Sequence, residues 1–448
     1  MGSHESIVLA KARRVLERYP LCDRCLGRLY ARLGYGWSNR DRGRSLKMAI
    51  VMESHWRIRE GDESEREWLA RHAGSIGSVA LPLAREVLGV EAVEERCYIC
   101  GGLLDRVIEE SLDDAAALAR AYDVRRLVVG AIVDRGVLER EEEVKSWAGL
   151  PYGESIKSEI RREVGKRLQA MGFTVDFDEP EATVHVHYPS GRVTIQVNSL
   201  LVKGRYWKLG RNISQAYWPS PTGPRYFSVE EALWGLLRLT GGERLVIHAS
   251  GREDVDARML GTGRPVIVEV KAPRRRRVTP GEVEKAVAET SRGVVVFRME
   301  GLARRREVQL YKEEAQERAK TYKALVAFSQ PPPEGWPEML REGLEGRVVN
   351  QWTPRRVLHR RPNILRRKRV YRVDCVELAP GLGECLVTGE GGLYIKELVS
   401  GDEGKTEPSF ASILGVDAAC VELDVVSVHQ ASEPFNTARV NGASKRGD

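Results

Sequence analysis

No stretch of this chain approaches the roughly 20 consecutive apolar residues that a membrane-spanning helix requires, so no membrane association is expected. The opening Met1-Gly2-Ser3-His4-Glu5 has no basic segment leading into an apolar one, so no secretory leader is expected either. Cysteine is sparse, with seven in 448 residues. An odd count in a long chain without a leader argues against a secreted disulfide framework and for free or metal-bound thiols in the cytoplasm. No segment repeats at a regular period.

Charge, by contrast, is abundant. Hydrophobic residues make up 42% and charged residues 30% of a chain long enough for two or three domains with real cores. The 71 basic residues outnumber the 64 acidic ones by seven. A positive excess favours a polyanionic partner, most simply nucleic acid, although on a chain of this size the placement of the charge matters more than its total.

Four of the seven cysteines come in two CxxC knuckles, Cys22-Asp23-Arg24-Cys25 and Cys97-Tyr98-Ile99-Cys100, the second followed by Gly101-Gly102. Four thiolates delivered by two tight turns suit a closed tetrahedral zinc site, structural because no position is left for substrate. A redox dithiol or four unrelated buried cysteines would not require two such pairs. Cys375, Cys385 and Cys420 have no evident histidine partner and read as small core residues.

Periodicity predicts helices over 6–19, 43–59, 64–89, 105–122 and 155–171, and strands over 127–133, 174–177, 183–188 and 194–201. His185 and His187 alternate with valines on one strand and, without a third ligand nearby, read as surface or ladder positions. Basic and aromatic residues interleave from Lys203 to Trp218, which fits either a nucleic-acid surface or a linker. Pro219 to Pro224 breaks the pattern and is taken as the main domain boundary. Beyond it come a helix over 229–239, strands flanking 248–265, and the tract Arg274–Arg277, a candidate phosphate-gripping loop. A helix over 282–290 follows, with Pro280 at its start. Strands are then predicted over 294–299, 307–310, from 322, from 348, 370–378, 384–388, 392–399 and 418–429. A helix capped by Thr406 is expected over about 406–414. The basic region Arg355, Arg356, His359, Arg360, Arg361, Arg366, Arg367, Lys368 and Arg369 reads as an arm along a phosphate backbone.

One segment stands apart: His248 to Pro265 holds three acids, three arginines and three glycines between two apolar strands. Charge held that close to a core must be offset by ion pairs, hydrogen bonds or a ligand. Asp254 and Asp256 could bind a divalent cation by spacing alone, but no third or fourth carboxylate supports a metal-dependent nuclease. Nothing else indicates a saccharide site.

Gly251-Arg252-Glu253-Asp254, followed by Val255-Asp256-Ala257-Arg258 and Gly261-Thr262-Gly263-Arg264-Pro265, resembles the essential loop of pseudouridine synthases. With the paired knuckles, the chain is identified as a member of the archaeal and eukaryotic Pus-ten family over about residues 1–430. The resemblance implies an α+β protein of two lobes. The first is a zinc-bearing, THUMP-containing N-terminal domain and the second a mixed α/β synthase domain with a central antiparallel sheet. Expected limits are 1–105 for the knuckle part, 106–218 for the THUMP part, 225–430 for the synthase and 431–448 for a disordered tail.

The resemblance further implies formation of pseudouridine at positions 54 and 55 of tRNA, with no catalytic cofactor. Asp254 would be the catalytic carboxylate, attacking ribose C1′ or abstracting a proton on a glycal path, on a uridine flipped from its stack. Tyr322 would stack on the base, Lys396 pair with Asp254, Ile395 and Leu423 wall the uracil pocket, and Arg252 grip phosphate or help flip the base. Asp256 is expected to be structural and bridged to an arginine such as Arg258. The protein would act as a cytoplasmic monomer on tRNA. The rivals are a THUMP-bearing thiolation or methyl-transfer enzyme, for which neither a PP-loop nor a glycine-rich Rossmann turn is present, and a non-catalytic tRNA binder.

Overall fold

The computed structural model describes residues 6–219, 226–359 and 361–429, without the side chains of 312 and 314–317. The expected tail at 431–448 and most of the proposed boundary at 219–224 lie outside these residues. The chain divides instead between Asn198 and Ser199. The reason is that the basic, aromatic stretch after Lys203 is not a linker. It belongs to a strand, Leu200–Lys208, whose residues alternate between buried and half-buried, with Tyr206 and Lys208 fully inside. The predicted strand over 194–201 is accordingly two strands, one in each unit.

In the first unit, helices Ile7–Arg18, Asp23–Leu29, Asn39–Arg59 and Glu63–Ile76 precede Leu104–Ala121, Arg135–Ala148 and Ile156–Ala170. Ser155 caps the last of these by accepting from Ser158 N. The predicted helix over 64–89 stops at Gly77 (φ 87°), where a Cβ would meet the Glu94 side chain at 2.7 Å. The strands are β1 (Arg126–Val133), β2 (Thr174–Val175), β3 (Ala182–Tyr188) and β4 (Val193–Val197), in the order β2-β1-β3-β4. His187 bonds across to Thr194 on the neighbouring strand, a ladder position.

The second unit is built on one ten-stranded sheet. Its strands are β5 (Leu200–Lys208), β8 (Arg244–Ala249), β9 (Arg258–Lys271), β10 (Val295–Leu302), β11 (Lys320–Phe328), β12 (Val348–Gln351), β13 (Arg366–Ala379), β14 (Leu382–Gly389), β15 (Thr406–Glu407) and β16 (Ala418–Val428); β6 (Ile213–Ser214) and β7 (Phe227–Ser228) pair separately. The order is β10-β5-β9-β16-β11-β14-β13-β12-β15, with β8 also on β9. Within this sheet all pairings are antiparallel except β9 with β16, a short parallel junction at Arg258–Asp424 and Met259–Val425; the separate β6–β7 pair is parallel. One core fills the half around β5, β9 and β10, another the half around β11, β13 and β14, and Tyr322 packs against both.

Four local expectations fail. Residues 307–310 lie in a helix, Arg305–Glu317. The run predicted as a strand over 392–399 is a helix, Ile395–Ser400, because Ile395, Leu398 and Val399 bury one helical face and Gly401 (φ 75°) closes it with its N–H on Glu397 O. Thr406 caps nothing: it lies in β15, and the helix Phe410–Leu414 is capped by Ser409, which accepts from Ser412 N. Cys375 and Cys385, expected as small core residues, face each other across β13 and β14 and form a disulfide.

Candidate active site

The loop Ser250–Ala257 leaves β8 and enters β9 where that strand meets β16. It is shorter than the charged segment suggests, since β9 already begins at Arg258 and runs through Gly261 and Gly263. Both glycines have positive φ, and a Cβ at Gly261 would meet Val426 O at 1.8 Å, so only glycine allows the strands to approach there.

The underside of the loop is held by buried charge. Glu253 turns inward, with 1% of its side chain exposed, and takes Arg264 Nε at 2.8 Å and the Tyr206 hydroxyl at 3.0 Å, with Lys208 Nζ at 3.7 Å. Burial pushes the Glu253 carboxyl up, and the Arg264 and Lys208 charges outweigh it, leaving it below the usual carboxylate range. The same cations hold the loop backbone. Lys208 Nζ donates to Asp254 O at 2.9 Å and Val255 O at 3.3 Å, and Arg264 Nη1 to Ser250 O at 2.7 Å. Gln215 Nε2 donates to Gly251 O at 3.1 Å. Four carbonyls of an eight-residue loop are thus satisfied from beneath, which leaves Asp254 on the outer side.

Above the loop lies a cavity of about 610 Å³ lined by Arg252, Asp254, Tyr322, Ile395, Lys396 and Leu423, all six residues expected from the sequence. They arrive from separate elements. Lys320 and Tyr322 share a face of β11 by the period of two, Leu423 and Val425 sit on β16 beside it, and the helix Ile395–Ser400 closes the far wall. Burial pushes the Tyr322 phenol up to about 12, so the hydroxyl keeps its proton at neutral pH. Arg252 is exposed at the cavity edge.

The ion pairs match those expected in part: Lys396 does reach Asp254, though it pairs more closely with Asp256. Lys396 Nζ lies 2.6 Å from Asp256 Oδ2 and only 3.8 Å from Asp254 Oδ2. Burial pushes Asp256 up, but the hydrogen bond and charge of Lys396 outweigh it. Arg258, the expected partner of Asp256, instead grips Asp424 with two bonds of 2.8 and 2.5 Å across the β9–β16 junction. Arg356, assigned by sequence to a backbone-tracking arm, reaches Asp254 Oδ2 at 3.1 Å and Glu397 Oε1 at 2.7 Å. Others of that arm, Arg361, Arg366 and Lys368, line the cavity together with the buried Lys320. The tract Arg274–Arg277 is not part of the lining; Arg275 binds Glu282 and Arg276 is buried.

Sequence reasoning missed Lys208, Arg264, Lys320 and the inward role of Glu253. For Lys320 the signal existed, since alternation places it on Tyr322's face. Burial of Lys208 and Glu253 depends on strand pairing over long separations and left none.

In the first unit, Cys22, Cys25, Cys97 and Cys100 bring their sulfurs within 4.8 Å of one another, with Cys22 and Cys100 at 3.6 Å. A tetrahedral thiolate site with ~2.3 Å bonds sets its sulfurs roughly 3.8 Å apart, so the cluster has the dimensions of a metal site. Tyr98 N donates to Pro20 O at 2.7 Å and joins the two knuckles. Arg28, 1% exposed, donates to Cys25 Sγ at 3.5 Å and is ion-paired with Glu141 and Glu159. A buried cation beside the cluster would offset the negative charge of bound thiolates.

A family model described as "Pus10, C-terminal" matches residues 201–429, and one described as "Pus10 THUMP domain, archaeal" matches 112–187. These matches define the class: a pseudouridine synthase with a THUMP domain. A relative from Aeropyrum pernix named tRNA pseudouridine synthase Pus10 is 60% identical over 433 residues, 95% of this chain and 99% of its own length. Another of the same name from Ignisphaera aggregans is 36% identical, over 94% and 98%. The chain belongs to the Pus10 family. Among solved structures, a Cbf5-Nop10-Gar1 complex aligns with a TM-score of 0.28 and 18% identity over 50% of this chain and 47% of that one, too low to carry an argument. No helix among the described residues is long and apolar enough to cross a membrane.

Proposed function

We propose that the protein isomerises uridine to pseudouridine in the T-arm of tRNA, at positions 54 and 55, with Asp254 as the catalytic carboxylate. The observation that carries this is the meeting of Asp254, Tyr322, Ile395, Lys396 and Leu423 around one cavity, on a chain of the Pus10 family. A flipped uridine would place its base between Tyr322 and the apolar wall of Ile395 and Leu423, with its glycosidic bond at Asp254. Tyr322, protonated at neutral pH, serves as a stacking face and hydrogen-bond donor. Lys396 and Arg356 keep a cationic field beside the carboxylate. Arg252 at the edge and the rim of Arg361, Arg366 and Lys368 would hold the flanking phosphates.

The four cysteines would hold a structural zinc ion, Cys22 and Cys25 from one knuckle and Cys97 and Cys100 from the other. Held there, zinc would supply folding energy to the first unit and would stand apart from the reaction. The protein would work in the cytoplasm as a monomer.

Incubation with unmodified tRNA followed by pseudouridine mapping tests this. Product is expected at both positions, and Asp254→Ala or Asp254→Asn should abolish it while tRNA binding stays nearly intact. Product from a folded Asp254 variant would overturn the assignment.

A further inference from the structure

Among the described residues two cations pair with Asp254, and each comes closest to the same oxygen. Arg356 Nη2 stands 3.1 Å from Oδ2, Lys396 Nζ 3.8 Å from it, and Lys396 is closer to Asp256 at 2.6 Å. Among the described residues Oδ1 accepts no hydrogen bond, and both cations come closest to Oδ2. A cation on one oxygen fixes the carboxylate's rotation and leaves the other oxygen to act.

Arg356 is itself held for this task. It lies on the single turn Arg355–Val357, pinned by buried Val357 and by Arg355 N on Asp402 Oδ2 at 3.0 Å. Its Nε donates at 2.7 Å to Glu397 Oε1, and Glu397 is 5% exposed with its other oxygen unpartnered. A buried carboxylate with one unsatisfied oxygen gains most from keeping its one cation, so Glu397 restrains the guanidinium from turning out to solvent. Glu397 also follows Lys396 directly on the helix Ile395–Ser400, so one element places both cations.

We propose that Arg356, anchored by Glu397, is a positioning residue that fixes Asp254 through Oδ2 and directs Oδ1 at the substrate. This deepens the reading that Asp254 acts on uridine and rests on it. Arg356 is then distinct from the neighbouring rim cations, which meet RNA phosphate.

Single-turnover conversion of an unmodified tRNA transcript and tRNA binding, measured side by side on the full chain, separate the alternatives. Arg356→Ala should lose about 100-fold in rate at saturating protein, the scale expected when a reacting group is misplaced by about 1 Å, with Kd unchanged within about twofold. Arg356→Lys should recover part of the rate, and Glu397→Gln should fall between Arg356→Ala and the parent. The proposal is overturned if Arg356→Ala converts bound tRNA at the parental rate, whether Kd rises with a weaker salt dependence, as for a phosphate contact, or does not change. Should Arg356→Ala fail to fold by circular dichroism, Arg356→Lys and Glu397→Gln decide, and parental rates in both overturn it. Asp254→Asn is run alongside: product from that variant breaks the underlying reading, whereas its inactivity with full Arg356→Ala activity breaks this proposal alone.

Discussion

Arg264 Nε meets Glu253 Oε2 at 2.8 Å, with 1% of each side chain exposed. The pair lies beneath a loop that otherwise has little apolar anchorage: within Ser250–Ala257 the buried residues are Ser250, Glu253 and Ala257. Glu253 therefore takes the place a leucine or valine would hold in an ordinary turn, and its burial is made tolerable by Arg264, Lys208 and the Tyr206 hydroxyl. A salt bridge in this setting specifies the loop's shape more than it adds net stability.

Glu253→Gln keeps the shape and removes the charge, leaving Arg264 and Lys208 without their counterion in the core. Breaking a buried pair in this way costs about 3–5 kcal/mol, readable as a drop in the guanidinium midpoint. Because Lys208 and Arg264 also hold the carbonyls of Asp254 and Ser250, the folded variant should lose rate at saturating tRNA as well. Stability within about 0.5 kcal/mol of the parent, the range of ordinary surface changes, would show that the pair does not shape the loop.

Lys320 gives a pH dependence whose sign can be worked out. Burial, followed by the charges of Arg264, Lys368 and Arg318, lowers its ammonium from 10.5 to about 8. Between about pH 8 and 10.5 the unfolded chain binds more protons than the folded one, so this lysine's contribution to stability rises with pH through that window. Below pH 8 its full penalty applies, up to roughly 3 kcal/mol by the size of the shift. Lys320→Met should therefore be more stable than the parent at pH 7, with the gain shrinking towards pH 10 in paired denaturation curves. A difference independent of pH would remove Lys320 as its source.

Legibility from sequence followed the range of the interactions. The cysteine knuckles and the loop around Asp254 are local patterns and could be read directly. Long amphipathic segments such as 105–122 and 155–171 were readable to within a residue or two at each end. The helix Ile395–Ser400 was not, because Leu393, Tyr394, Ile395, Leu398 and Val399 form an apolar run too short to separate strand from helix by period. The unit boundary was missed because Lys203, Arg205 and Lys208 look like surface charge until β9 and β10 flank their strand and Glu307, Glu300 and Glu253 pair with them in turn. Arg356 was legible as a cation but not as a partner of Asp254, a contact across about a hundred residues that only the folded chain makes.

The cysteine cluster predicts a stability effect separable from chemistry. Cys22→Ser should lower metal content from one zinc per chain and lower the Tm, since closed thiolate sites contribute folding energy outright. Pseudouridine formation per folded molecule, measured well below that Tm, should be nearly unchanged. Full metal content in the variant would mean the four sulfurs do not form the site. A loss of rate with normal Tm and normal metal content would contradict a structural role.

The basic rim predicts how binding responds to salt. Arg361, Arg366 and Lys368 line the cavity, but they are not equally available: Lys368 already bonds Glu390 at 2.7 Å, and Arg366 donates to Thr353 at 2.9 Å. Among the described residues Arg361 makes one bond, of 3.1 Å, to the Tyr394 hydroxyl. Each cation that displaces counterions from RNA should contribute about 0.7–0.9 to the slope of log K against log salt. Arg361→Gln is expected to flatten that slope by nearly one such unit, and Lys368→Gln by less, because Glu390 must first give up its partner. Conversion at saturating protein should be little affected in either. An unchanged slope in Arg361→Gln would place the phosphate path away from this wall of the cavity.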